Sequence, residues 1–295
     1  AELLALTSGE PAGPTRHRMT HLRRSAGLPY ALLAVLYSEH NLKKGTQMLR
    51  LAMEQLLRLA LKSSSNAPKA ELDMSVDAVK AEADAVKADS DAVKGSAGDD
   101  AAQADDLGAD LARVHALNLL RHICQDKAFG LGVLPFLSAA FRAAFLSLTA
   151  AQWAVRNSGT LLLAALLERA LRNRRARDEH SQANALGIRD FFSRAPELYP
   201  FLLQQLRRST ASIVSDDGAA SGAAAGVRPD LFALLLLLSK LVPSPTTQDG
   251  AADGIEVLAF VPLVRACGAL PALRVRMVAA RALVPLVATC QLADF

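Results

Sequence analysis

Aromatic residues make up only 5% of this 295-residue chain, one tryptophan, three tyrosines and ten phenylalanines, while hydrophobic residues make up 51%. A chain of this length can bury a sizeable core, and leucine and alanine must fill most of it. Cysteine is scarcer still. Cys124, Cys267 and Cys290 form an odd, scattered trio inside apolar helical patterns, which argues against a disulfide framework and for buried thiols in a reducing compartment. Uncharged runs are short: the longest, Ser25 to Ser38 and Ala128 to Phe141, hold 14 residues each, below the roughly 20 needed to span a bilayer as a helix. No membrane insertion is expected. Ala1 to Leu6 is too short for a signal-peptide core and lacks a basic leader, so a cytoplasmic location is expected.

Catalytic motifs are equally sparse. His17 and His21 sit four apart, as metal ligands on one helix face do, yet no third ligand follows at a zincin-like spacing, and Arg16, Arg18, Arg23 and Arg24 crowd the site with positive charge. His122 lies two residues before Cys124, the wrong separation for facing across one helix. Gly130-Leu131-Gly132 is a bare G-x-G with no preceding strand and no third glycine in register. These absences point away from an enzyme, and no metal or cofactor is expected on this chain.

What the sequence does hold is helix-forming composition. Ala, Leu and Arg head the helix-propensity order, and no alternating run of Val, Ile and Thr argues for strands. About ten helical segments are predicted, among them Gly45 to Lys62, Asp110 to Gln125, Val133 to Thr149, Gln152 to Leu171, Pro196 to Thr210, Pro229 to Leu241, Ile255 to Cys267 and Leu273 to Cys290. Many start at or near a proline or small polar residue, as helix starts do. The chain begins at Ala1 without a methionine and stops directly after a helical pattern, which reads as a fragment of a longer protein.

Charge divides the chain in three. Residues 1–62 hold nine Lys/Arg against four Asp/Glu, residues 63–110 four against twelve, and residues 111–295 twenty against thirteen. The acidic middle carries the short repeat DAVKAEA, DAVKADS and DAVKGSA from Asp77, Asp84 and Asp91. Its period of seven offers only Val and Ala as apolar residues, too little for a coiled-coil seam. Residues 63–110 are therefore expected to be a low-complexity insert, disordered or transiently helical. The remainder is basic, which favours an acidic partner, nucleic acid among them.

Three segments share a degenerate pattern: LRRSAGLPYALL from Leu22, VRNSGTLLLAAL from Val155 and VRMVAARALVPL from Val275. Each has an apolar residue, an arginine, one variable position, two small or slim residues and an apolar run closing on leucine. The small pair lets a preceding helix approach closely, and the arginine stem can cover its neighbour. Helix pairs that cannot bury their apolar faces alone must stack, which predicts an all-α, HEAT/armadillo-like helical-repeat solenoid, continuous from residues 1–62 into 111–295. The spacing of 120 residues from Val155 to Val275 accommodates three units of about 40. Two readings stand for Arg23, Arg156 and Arg276: a ladder of pairs with acidic residues of adjacent repeats, or contacts to a ligand. Trp153 is expected to be a structural packing anchor rather than a stacking platform for a base. Arg24 differs, since Asn157 and Met277 fill the equivalent positions. The repeat does not require a cation there, so Arg24 is the better functional candidate.

Several blocks in order resemble one family. RRSAGLP (Arg23 to Pro29), AMEQLL (Ala52 to Leu57), VHALNLLRHICQD (Val114 to Asp126), LPF (Leu134 to Phe136), WAVRNS (Trp153 to Ser158), YPFLLQQL (Tyr199 to Leu206), VPLVRACG (Val261 to Gly268) and AARALVPLV (Ala279 to Val287) are similar to the thyroid adenoma-associated protein family. Its fungal counterparts are non-catalytic subunits of a tRNA 2′-O-methyltransferase. Gly159 departs from the family pattern, which often carries a further Ser there. The resemblance implies a regulatory subunit that helps bind and position tRNA, so that a ribose of the anticodon loop, nucleotide 32, is methylated. The implied partners are tRNA and a small Rossmann-type tRNA 2′-O-methyltransferase, which brings the S-adenosylmethionine. Candidate contacts to tRNA or partner are Arg23, Arg24, Ser25, Gly27, Pro29, Arg156 and Asn157. Gly27 and Pro29 are poor helix-interior residues, so a kink or a helix start there would present the arginines outward. The alternative is a HEAT-like protein–protein scaffold, such as an assembly platform, whose basic surface never meets RNA.

Overall fold

A computed structural model describes residues 27–42, 45–62, 98–171, 186–214, 228–244 and 255–287, with the backbone alone for 98–107 and 212–214. Among them the regular elements are helical. They are α1 (Leu28–Asn41), α2 (Gln47–Leu61), α3 (Gly98–Gln125), α4 (Gly130–Val133), α5 (Leu137–Leu148), α6 (Trp153–Leu171), α7 (Ile188–Arg194), α8 (Leu198–Val214), α9 (Pro229–Leu238), α10 (Val261–Cys267) and α11 (Leu273–Leu283). Single 3-10 turns at Leu134–Phe136, Val257–Phe260 and Val284–Leu286 adjoin α5, α10 and α11. A lone parallel bridge joins Gly187 to Val242, where Ile188 N donates to Val242 O at 3.0 Å and Val242 N to Leu186 O at 3.1 Å.

Local chemistry explains the boundaries. α2 buries Leu49, Ala52, Met53, Leu56, Leu57 and Ala60, the i, i+3, i+4, i+7 spacing of an amphipathic helix. Its first turn is capped from α1: the Glu39 carboxylate accepts from Met48 N at 2.9 Å and 3.0 Å and from Leu49 N at 3.4 Å. A carboxylate there answers both the free N–H groups and the positive end of the helix dipole. Between these helices Gly45 has φ +108°, a conformation that costs glycine least. α9 opens on Pro229, with Asp230 in its first turn paired to Arg228 at 3.0 Å.

Helices stack in two layers. α3 lies against α1 and α6 in one layer and against α2 across the hairpin, while α5 packs on α2 and α6 and carries the chain onward to α8 and α9. The last pair repeats the step, α10 on α8 and α11 on α9. This pairwise packing is that of a helical-repeat solenoid, as the sequence predicts. An aromatic cluster fills the middle: Phe192 stacks on Phe260 at 5.8 Å, and Phe191 meets Phe141 edge-on at 5.9 Å. Tyr199 joins Phe192 and Phe260 while its hydroxyl donates to Glu256 O at 2.9 Å.

Some expectations shift. α3 begins at Gly98, not Asp110, so the acidic segment ends in helix. Propensity over AAQADDLGAD suffices once α3 is nucleated by its packed C-terminal half. The DAVK repeats lie outside the described residues. Gly130–Leu148 is 19 residues of mean hydropathy 1.7, long and apolar enough by composition to cross a membrane, a candidate that counting only uncharged runs passes over because Arg142 interrupts it. It is three helical pieces broken at Pro135, with half of it buried in the protein. It is a core segment here. Neither α1 nor α7 is among the segments named from the sequence, and α7 is too short to show a period.

Candidate functional site

Gly27 and Pro29 are the part of the RRSAGLP block within the described residues; Arg23, Arg24 and Ser25 lie outside them. The block ends in a helix start rather than a kink. Gly27 caps α1, its carbonyl accepts from Ala31 N at 3.0 Å, and Pro29 in the first turn is buried. Proline suits that turn because the N–H it lacks has no helical partner there. Gly27 is right-handed at φ −83°, and a Cβ built on it meets nothing within 4 Å. Neither backbone strain nor close packing explains this glycine.

Three family-like blocks meet at one level of the layer. Tyr30 faces His122 of α3 at 6.1 Å and Tyr37 faces Phe129, just past the end of α3, at 5.2 Å, the same order along both segments, so α1 runs parallel to α3. Asn118 Nδ2 donates to Ser158 Oγ at 3.4 Å, and farther along the Arg169 guanidinium donates to Asp126 O, so α6 is parallel to α3 as well. The start of α1, the last two turns of α3 and the first turns of α6 thus come together. Sequence reading missed Asn118, although it is the single polar residue in the buried run Ala116 to Leu120. Burial lowers the His115 and His122 pKa values, that of His122 further through Arg121, which favours the neutral rings. The Arg121 Nε is buried without a hydrogen bond.

At the head of α6, Arg156 turns back. Its Nη1 donates to the carbonyls of Ala150 and Ala151 at 2.8 Å and 2.6 Å, tying down the α5–α6 turn. Its described partners are these backbone carbonyls and not an acidic residue of a neighbouring repeat, so the expected ladder pair is not formed at Arg156 among the described residues. The small pair behaves as predicted: Ser158 and Gly159 are buried, and a Cβ on Gly159 would stand 2.6 Å from Ser147 Cβ and 3.2 Å from Ala144 O.

Trp153 corrects an expectation. It is not a packing anchor but 68% exposed. Val155, two residues on and therefore on the opposite side of the helix, takes the buried direction against the core. Asn157, one turn after Trp153 on the same strip, is half-buried, and its side chain bonds to no described residue.

Beside this level lies a cleft of about 870 Å³ whose lining includes His40, Leu49, Lys127, Phe129, Arg169 and Arg194. The G-x-G motif serves packing here. Gly132 admits Leu49, whose Cδ2 would lie 2.5 Å from an added Cβ, and Gly130 lies against Arg169. Cys124 and Cys267 are free, buried thiols, raised by burial to about 12 and about 11. Cys290, His17 and His21 lie outside the described residues. Among the described residues no cluster of three His, Cys, Asp or Glu could hold a metal ion.

Comparison with known families follows the same blocks. Residues 5–154 match the family described as THADA/TRM732, DUF2428. The chain belongs to the THADA/TRM732 family. Residues 156–295 match the family's C-terminal repeats, described as Trm732, C-terminal TPR repeats. The two matches divide at the first turn of α6, where packing against α3 and α5 is continuous. The human tRNA (32-2'-O)-methyltransferase regulator THADA is 36% identical over 266 residues, which is 90% of this chain and 11% of that protein. The Drosophila melanogaster protein of the same name is 30% identical over 90% of the chain and 13% of its own length. The Schizosaccharomyces pombe tRNA (32-2'-O)-methyltransferase regulator trm732 is 28% identical over 63% of the chain and 12% of its own length. This THADA/TRM732 chain therefore spans about a tenth of the length of the relatives it matches. No solved structure matches it.

Proposed function

We propose that this chain is a helical-repeat portion of a non-catalytic regulator that helps bind and position tRNA for 2′-O-ribose methylation in the anticodon loop, at nucleotide 32. A Rossmann-type methyltransferase supplies the active site and the S-adenosylmethionine, and the assembly works in the cytoplasm. The observation that carries this reading is the convergence of the α1 start, where RRSAGLP ends, with VHALNLLRHICQD and WAVRNS at one level of one helical layer, in a chain whose relatives are named as regulators of that methylation. Arg23, Arg24 and Ser25 directly precede the α1 start in sequence, and α6 contributes Asn157 and the exposed Trp153. Arg156 acts through the turn it holds.

The test is reconstitution of the protein with its methyltransferase on tRNA. Methylation requires both, and Arg24→Glu lowers it at least tenfold with folding unchanged by circular dichroism. Full methylation and intact complex formation with Arg24→Glu would sink the assignment. The scaffold reading predicts a different salt response. Phosphate contacts weaken steeply as salt rises, whereas a scaffold shows little affinity for tRNA at physiological salt under any variant.

A further inference from the structure

Among the described residues, Arg113, Arg121, Arg142 and Arg169 each carry a buried Nε that finds no acceptor. Three of them are held in another way. Arg113 pairs with Asp110 at 3.6 Å, Arg142 lies over the Phe201 ring at 5.6 Å, and the Arg169 guanidinium donates to Asp126 O. Arg121 is half-buried and has no hydrogen bond, ion pair or ring contact with any described residue. Its charge acts on His122, whose pKa burial lowers first and Arg121 second, so that ring supplies no counter-charge. Leu28 to Ser38, Leu111 to Gln125 and Trp153 to Leu167 hold no Asp or Glu. The acids that bound these runs are engaged: Glu39 accepts from Met48 N, Asp110 pairs with Arg113, and Asp126 accepts from the Tyr37 hydroxyl at 2.6 Å and Ala128 N at 2.9 Å. Glu168, in the last turn of α6, is engaged as well. Taking a cation half out of water without a counter-charge costs free energy. The position calls for an anion from outside the described residues.

We propose that Arg121 binds a backbone phosphate of single-stranded RNA laid along α3, with Tyr30 and Trp153 as the surfaces on which bases stack. The proposal rests on the reading of this chain as part of a tRNA methylation regulator, and names side chains of α3 that are not among its sequence candidates. α3 is the middle helix of its layer, and His115, Asn118, Arg121 and His122 share its outward strip between α1 and α6. Tyr30 of α1 meets this strip at His122, and Ser158 of α6 meets it at Asn118. Each flanking helix also brings one ring to solvent, Tyr30 and Trp153 both being 68% exposed. A guanidinium forks onto phosphate oxygens in strong, charge-assisted bonds. Asn118 and the two imidazoles offer donors and acceptors to base edges but little charge, so the phosphate falls to Arg121. Unpaired loops, unlike duplexes, free their bases for aromatic stacking. A carboxylate of a protein partner would also pair with Arg121. RNA is favoured because the rings flank a polar strip, whereas the centre of a protein interface is apolar.

The experiment uses the full-length protein with its methyltransferase and a tRNA that the complex methylates, and follows tRNA affinity across a salt series. Arg121→Gln weakens binding about tenfold and lowers the slope of log affinity against log salt by about 0.7, the share of one phosphate on a single strand. Arg121→Lys keeps the slope. Because Arg121→Gln removes an unpaired cation, its Tm is unchanged or raised, which loss of a structural arginine would not give. Tyr30→Ala and Trp153→Ala each weaken binding at least about fivefold with the slope unchanged. Unaltered affinity and slope in Arg121→Gln, with Arg24→Glu still impaired in methylation, overturns this proposal and leaves the regulator reading standing. Methylation that does not need the protein overturns both. A Tm loss of several degrees shared by Arg121→Gln and Arg121→Lys assigns the side chain to packing and overturns the proposal. Weaker methyltransferase binding with an unchanged tRNA slope overturns it in favour of a carboxylate of that partner.

Discussion

Gly159 offers a test of how closely α6 approaches α5. In an exposed helix interior, Gly→Ala stabilises by about 1 kcal/mol through backbone entropy. At Gly159 the new methyl would lie 2.6 Å from Ser147 Cβ, closer than real Cβ contacts come, and a tight 3.2 Å from Ala144 O, and neither atom is the movable tip of a long side chain. Overpacking of this kind costs about 1–3 kcal/mol. The overpacking term outweighs the propensity gain, and Gly159→Ala is expected to destabilise by up to about 2 kcal/mol. At about 2–4 °C per kcal/mol for a body of this size, the melt followed by circular dichroism falls by several degrees. Ser147→Gly removes the opposing Cβ, so the double variant should recover part of the loss, with a coupling of at least about 0.5 kcal/mol. A raised Tm for Gly159→Ala, or additive effects in the double variant, would refute the packing argument.

Three further outcomes follow from the geometry. Arg156→Ala removes two charge-assisted bonds to the α5–α6 turn and is expected to cost about 1–2 kcal/mol, discounted for partial exposure; Arg156→Lys should not fully restore it in urea melts, since an ammonium lacks the guanidinium reach. Phe192→Ala, at the centre of the aromatic cluster, should cost about 3–5 kcal/mol, and a melt unchanged by it would contradict the cluster's place in the core. Cys124, raised by burial to about 12, should resist iodoacetamide at pH 8 until the protein unfolds. Because its folded value lies above the unfolded one, its contribution to stability is complete below about pH 9 and is lost as pH rises toward 12; rapid labelling of the native protein would contradict the burial.

Helices were legible wherever the apolar period ran for three turns or more, as in α2 and α6, and the small pair Ser158-Gly159 was legible as a point of close approach. Short elements were not: α7 offers too few residues to display a period, and its place depends on Phe191 and Phe192 entering a cluster with Phe141 and Phe260 that lie far off in sequence. The arginine of the repeat was correctly placed near the first turn, but its partner was not. A carboxylate is the stronger acceptor for a guanidinium, but which acceptor lies within reach is set by the turn from Ala150 to Ala151. Trp153 was misread because hydrophobicity alone suggests burial, whereas its angular offset from Val155 fixes its direction.

By itself the sequence determined the helical class, the repeat, the basic body and, through its ordered blocks, the family, since these depend on composition and short-range spacing that survive without coordinates. Tertiary structure alone decided that α1, α3 and α6 run parallel and bring three distant blocks to one level, that Trp153 faces outward, and that Arg121 lies half-buried on α3 with no partner among the described residues. Each of those depends on which side of a helix meets a neighbour, and that is set by how whole helices pack, not by any one segment's pattern.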